Sequence, residues 1–376
     1  MRILLTSTQF PGNGGAATNT YKLHKFFSKE TNHSVYCIFF LANKEDTAAI
    51  DFDPEKIGNV GFLYCSAVNG RLQHFDCTTK TFSEYDSTFL NQFRQKVTVA
   101  LGGFPDVILA KNYRAPITSS FLFPTVQNIY YLVSGVYYLT LLNNNSKNDI
   151  SAQNLLDNFE NYNLEEYKQN TNIQQELQSL ELAKKVIFNS ELTCSLFQTF
   201  YKEKVKHYSI INTSLFQNII PPSNENLSTR PYDLLFICSD FNRKIKNCKF
   251  VKKLFQQAKF TSLKKLVIGQ GDLFDTGVSN IEIYPPQPNH LIPSFMKQCK
   301  VLVFPSLFDS SPNTVYEALE SGCNVVISKN IGNWKQFHKD SVCNDVYDEK
   351  EWILKIQKNV KQKINHFIEF QPFHFT

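Results

Sequence analysis

The strongest constraint on this chain is a rhythm: apolar runs of strand length recur between spacers long enough to hold a helix. The first set covers 2–6, 34–41, 60–65, 106–110, 128–133 and 185–189. A short apolar run bounded by such spacers reads as a buried parallel strand followed by its crossover helix. The rhythm breaks over 218–231, where Pro221, Pro222, Ser223, Asn224, Ser228 and Pro231 gather in the most linker-like stretch of the sequence. It restarts at 233–238, 263–269, 280–284, 300–304 and 324–328. The pattern predicts an α/β chain of two Rossmann-like, doubly wound parallel sheets in series. The expected division is a first domain over 1–217, a linker over 218–231 and a second domain over 232–350. A closing amphipathic helix within 351–376 is free to pack back on the first domain.

Length agrees with this, because 376 residues exceed one ordinary core and suit two domains. A hydrophobic share of 42% and an aromatic share of 14% supply two cores and exclude wholesale disorder. The nine cysteines are scattered singly, with no C-x-x-C pair. They read as reduced thiols of a cytoplasmic protein rather than as a disulfide or zinc framework. Neither the N-terminal run from Ile3 nor the longest apolar stretch, Ile129 to Leu142, has the length of a secretory signal or a membrane span. The net charge of +5 suits an anionic small ligand, leaves room for peripheral contact with acidic lipid headgroups, and is too mild to argue for nucleic acid.

The densest chemical signal runs from Val303 to Gly322. A buried strand ends at Phe304, a polar turn follows, and Pro312-Asn313 opens a helix that carries Glu317 one turn in. Such a helix start offers backbone N–H groups to an anion such as a diphosphate. Asp309 in the turn and Glu317 on the helix add two carboxylates. Beside a phosphate site, carboxylates suit neutral hydroxyls, which sugars and ribose present in pairs. A second signal is the strand 234–238 followed by Ser239 and then Arg243 and Lys246, three residues apart. A guanidinium fork and an ammonium point charge at that spacing suit a diphosphate.

These segments resemble the family 4 retaining glycosyltransferases of the GT-B fold, whose motif reads F-P-S-x-x-E-x-x-P-N-x-x-x-E-A-x-x-x-G. The resemblance implies that Glu317 holds the donor ribose, that Asp309, standing where the family usually has Glu, touches the donor sugar, and that Ser310, Ser311, Pro312, Asn313 and Thr314 line the sugar and phosphates. It implies that Arg243 and Lys246 offset the charge growing on the leaving nucleotide, so that no metal or other cofactor is required. No D-x-D pair stands where a metal-dependent transferase would need one. Weaker similarities place Gly269, in Gly269-Gln270-Gly271, beside the nucleotide, and Tyr284, Pro285 and Leu291 beside its base.

In the first half, Pro11-Gly12-Asn13-Gly14-Gly15 resembles the family's P-x-x-G-G loop, with Gly14 and Gly15 approaching donor phosphate. Segments 105–112 and 131–135 resemble strands that end in the family's histidines. Both histidines are absent, and Lys111, Asn112, Arg114 and Ser134 are the candidates for an altered acceptor pocket. The expected activity is retaining, metal-independent transfer from a UDP- or GDP-sugar to a glycan, lipid-linked or other acceptor. The competing reading is a GT-B nucleotide-sugar-binding module with weak or no turnover.

Overall fold

A computed structural model of the chain describes residues 1–8, 15–41, 59–66, 69–76, 81–146, 149–162, 165–212, 219–220, 226–363 and 368–369. The chain divides into two compact units. The first comprises Met1–Tyr138, Tyr162–Asn189 and Thr193–Ser214, and the second comprises Leu139–Asn161, Ser190–Leu192 and Leu215–Thr376.

The first unit is built on a nine-stranded sheet. Its strands are β1 (Arg2–Ser7), β2 (Ser34–Leu41), β3 (Val60–Cys65), β4 (Leu72–Asp76), β5 (Thr81–Glu84), β6 (Val107–Lys111), β7 (Ile129–Val133), β8 (Lys185–Phe188) and β9 (Tyr208–Ile210). They lie in the order β5-β4-β3-β2-β1-β6-β7-β8-β9. The central strands β1, β2 and β6 are buried almost end to end, as expected where helices cover both faces of a parallel sheet. Strand β3 alternates between buried and half-buried positions, the pattern of a strand nearer the edge. The sheet is parallel except that β3–β4 and β4–β5 pair antiparallel. This terminal extension escapes the periodicity argument, because LQHFD and TFSE mix polar and apolar residues over very short runs.

The second unit holds a six-stranded, fully parallel sheet in the order β13-β12-β11-β14-β15-β16. These are β11 (Tyr232–Cys238), β12 (Lys265–Gly269), β13 (Ile281–Tyr284), β14 (Cys299–Phe304), β15 (Asn324–Ser328) and β16 (Val342–Cys343). A two-residue antiparallel pair, β10 (Ile219–Ile220) with β17 (Ile368–Glu369), completes the strands. The sheet's core is sealed on one side by Val251, Leu254, Phe255, Trp352 and Ile356 of helices Cys248–Phe255 and Glu349–Val360. On its other side pack Val315, Tyr316 and Leu319 of helix Asn313–Glu320. Helix Glu349–Val360 has its first turn capped by Asp348, which accepts from Lys350 N at 2.9 Å and Glu351 N at 3.2 Å. Among the described residues no helix is long and apolar enough to cross a membrane. Eight cysteines, among the described residues, are free and buried; Cys77 lies outside them.

Candidate active site

In a doubly wound sheet the connections leave in opposite directions on either side of one strand boundary, and the loops part there at the carboxyl ends of the strands. In the second unit that boundary falls between β11 and β14. The two loops bordering it carry seven of the sequence candidates: Ser239, Arg243 and Lys246 after β11, and Asp309, Ser310, Ser311 and Pro312 after β14.

The loop after β11 is shaped by short-range bonds. Asp240 Oδ1 accepts from Asn242 N at 2.9 Å, a single 3₁₀ turn spans Lys244–Lys246, and Asn247 takes a left-handed φ of 56° to enter the next helix. This turn aims Lys246 across the strand boundary, where its Nζ meets Asp309 Oδ2 at 2.7 Å. The two side chains are only 17% and 20% exposed, so the pair is largely screened from water. Lys246 Nζ also stands 4.9 Å from the centre of the Phe304 ring, whose face attracts a cation. Arg243, at the start of the same 3₁₀ turn, is exposed, as is Ser239. Lys246 and Arg243 help draw down the neighbouring Cys238 thiol, although its hydrogen bond with Cys248 is the larger cause.

Asp309 is held by its backbone. Its N–H donates to Asn330 O at 3.2 Å, and its carbonyl accepts from Gly332 N at 2.7 Å. Its other carboxylate oxygen, Oδ1, accepts from Ser311 N at 3.2 Å. Ser310, Ser311 and Pro312 are buried, and Pro312 precedes helix Asn313–Glu320, whose first-turn N–H groups have no acceptor inside the helix. Glu317 lies on that helix, half-buried, with Thr314 and Asn313 half-buried ahead of it.

Gly269, the last residue of β12, has a packing reason for being glycine. A Cβ there would lie 1.9 Å from Cys238 O and 2.4 Å from the Phe241 ring. Tyr284 ends β13, its hydroxyl donating to Glu282 at 2.6 Å and its ring centre 5.1 Å from that of Phe295. Pro285 and Leu291 follow it and are exposed. These residues stand at the same carboxyl edge of the sheet, on the β13 side.

Three contributors escaped the sequence reading. Gly332 admits Ser310, since a Cβ would come within 1.9 Å of Ser310 O and 2.6 Å of Ser190 Oγ. Asn330 receives Asp309 N on its carbonyl and, on Oδ1, Gln153 N at 2.8 Å. Helix Ala152–Asp157, distant in sequence, donates Ala152 N to Leu307 O at 2.8 Å. Lys244 Nζ binds the carbonyls of Asn143 and Ser146 at 3.1 and 3.0 Å, which anchors the same segment. A polar, Gln-rich stretch carries no local sign of these partners.

In the first unit the corresponding boundary lies between β1 and β6. Gly14 lies outside the described residues, and Gly15 opens helix Gly15–Glu30. Lys111 ends β6 and Asn112 follows in the left-handed region at φ 74°. Ser134, beyond β7, donates its hydroxyl to Asn112 Oδ1. Arg114 is committed elsewhere. Its Nε donates to Gln175 at 3.0 Å, its Nη2 donates to Tyr113 Oη and Asn172 Oδ1, and its guanidinium lies 5.0 Å over the Tyr113 ring. Those contacts bind it to helix Thr171–Leu182. Glu176 on that helix is buried against Tyr131 and Tyr201, and burial raises its carboxyl to about 8.

Comparison with known proteins follows the same geometry. Residues 224–368, which contain the β11 and β14 loops, match the family model for glycosyl transferases group 1. No curated protein sequence matches the chain. Among solved structures, the apo form of the lipopolysaccharide outer core galactosyltransferase WaaB is similar at 14% identity, covering 97% of this chain and 92% of that one with a TM-score of 0.57. Sucrose-phosphate synthase from Thermosynechococcus elongatus is similar at 12% identity, over 96% and 93% of the two chains, with a TM-score of 0.58. Anabaena HepE, solved with UDP and glucose, is similar at 12% identity, over 96% and 92%, with a TM-score of 0.58. At these identities the likeness establishes the fold. Residues 224–368 thus resemble the glycosyl transferases group 1, and the two Rossmann-like units have the GT-B fold of these solved structures.

Proposed function

We propose that the chain transfers a hexosyl group from a UDP- or GDP-sugar to a glycan, a lipid-linked glycan or another acceptor, with retention of configuration and without a metal ion. The observation that carries this reading is the screened Lys246–Asp309 pair at the β11–β14 boundary. Without ligand, each charge compensates the other. A donor diphosphate offers Lys246 a stronger partner, which releases Asp309 to accept a hydrogen bond from a sugar hydroxyl. Arg243 adds its guanidinium from the same turn. Both cations then stabilise the charge that develops on the departing nucleoside diphosphate, the role a metal fills in other transferases. Glu317 accepts from the ribose hydroxyls, and the first turn of helix Asn313–Glu320 faces the phosphates.

Thermal unfolding with UDP, GDP and their sugars gives the first test, because a ligand of the folded state raises its melting midpoint by mass action. One nucleotide series should stabilise wild type and fail with Glu317→Ala. Activity should survive chelation with EDTA, and the product's anomeric configuration, read by NMR, should match that of the donor. Inversion, or loss of rate on chelation, refutes those parts of the reading. The absence of the family's histidines at Lys111 and Ser134 favours a second reading, a nucleotide-sugar-binding module. Protection by nucleotide with no turnover of any donor would establish it. The eight buried free thiols support a reducing, cytoplasmic setting. Peripheral contact with a membrane is part of the reading where the acceptor is lipid-linked.

A further inference from the structure

Among the described residues two lysines are nearly inaccessible, and their surroundings differ. Lys265 is 0% exposed, and its ammonium donates to the carbonyls of Phe260, Leu263 and Ser279 at 2.6, 2.8 and 2.9 Å. That accounts for all three of its protons, as a structural role requires. Lys111 is 3% exposed, and among the described residues its ammonium has neither a hydrogen bond nor an ion pair. Burial alone acts on it, pulling its ammonium down to about 7. Leaving a cation dry and unpaired is costly, and a fold gains nothing from it.

Its place in the sheet matters. Lys111 ends β6 in register with Ser7 of β1, at the strand boundary where a doubly wound sheet opens to ligands. The next residue repeats the pattern. Asn112 is 7% exposed, its Oδ1 is occupied by the Ser134 hydroxyl, and its amide Nδ2 is buried with no partner. Among the described residues, the groups at this strand end that lack a partner are an ammonium and an amide N–H₂, both donors. Their complement is a group that only accepts and carries negative charge.

We propose that the carboxyl end of β6 binds an oxyanion, a phosphate or a carboxylate, carried by the acceptor, with Lys111 and Asn112 Nδ2 as its donors. This deepens the transferase reading and rests on it for the word acceptor; the anion site itself does not. It makes Lys111 a specificity-determining residue, selecting a charged sugar or sugar phosphate over a neutral one.

Carbamylation of the full chain by cyanate, followed at each lysine by peptide mass spectrometry, tests this. Cyanate is small and reacts with the neutral amine, so Lys111 should react faster than the exposed Lys259. Either inorganic phosphate or glucuronate should slow Lys111 at least threefold, whichever does so identifying the anion, while glucose should leave it unchanged. The protection should persist in Lys246→Ala, which weakens anion binding in the second unit, and in Lys111→Arg phosphate should retain its affinity. A Lys111 that never reacts is closed to ligands and overturns the proposal. So does reaction that neither anion slows, or that glucose slows equally. Stabilisation by UDP reports on the second unit separately. Its loss with Lys111 protection intact refutes the transferase reading and leaves the anion site standing.

Discussion

Each unit opens its sheet at one strand boundary, and the two openings are charged differently. In the second unit Lys246 and Asp309 neutralise each other at 2.7 Å. In the first, Lys111 is buried at 3% exposure with no anion among the described residues. A site that exchanges partners can satisfy itself while empty, because the leaving group of a transfer must be released again. A site that recognises a fixed charge on its ligand can stay incomplete until the ligand supplies that charge. The same fold thus supports two electrostatic strategies.

The largest expected effect is on the compensated side. Lys246→Ala should lower the transfer rate by about 100-fold to 1,000-fold, the usual consequence of removing one stabilising group from a developing charge. It should also abolish stabilisation by nucleotide; unchanged rates would end the comparison. Next, Gly332→Ala should destabilise the second unit by roughly 2–3 kcal/mol, since its Cβ would stand 1.9 Å from Ser310 O. Weakened nucleotide binding in titration calorimetry should accompany the loss, and an unshifted melt would show the loop to be yielding.

On the first unit's side, Glu176 supplies a pH test. Its carboxyl rises from 4.5 to about 8 in the fold, so the stability it contributes is complete in acid and is lost as pH rises through about 8. Relative to Glu176→Gln, wild type should lose roughly 3–4 kcal/mol between pH 5 and pH 8 in denaturant titrations. A constant difference would refute the buried, protonated acid. The smallest effect is expected of Lys111→Met. Deleting an uncompensated buried amine should stabilise the ligand-free protein by about 1 kcal/mol. Because the Lys111 ammonium is lowered in the fold, the gain should be larger at pH 6 than at pH 9. A destabilised Lys111→Met would make Lys111 and Lys246 alike and erase the contrast.

Much of the fold was legible. Runs such as 34–41 and 324–328 coincide with β2 and β15, because a strand buried on both faces must be apolar along its length. The antiparallel extension β4–β5 and the three-residue β9 were not legible. Edge strands tolerate polar residues and so lose the signal. At the site, the polar turn after Phe304 and the cations after Cys238 stood out because each motif is contiguous. Asn330, Gly332 and Ala152 did not, since each acts through a backbone group or a missing Cβ.

The sequence by itself determined the parallel strands of the two sheets and the helix opening at Pro312-Asn313, because periodicity and turn chemistry are local properties. Only the tertiary structure decided that Lys246 meets Asp309 across 63 positions, that Arg114 is bound to helix Thr171–Leu182, and that Lys111 is buried. Those outcomes depend on strand order and on which donors and acceptors packing brings together, and neither is written in the spacing of residues along the chain.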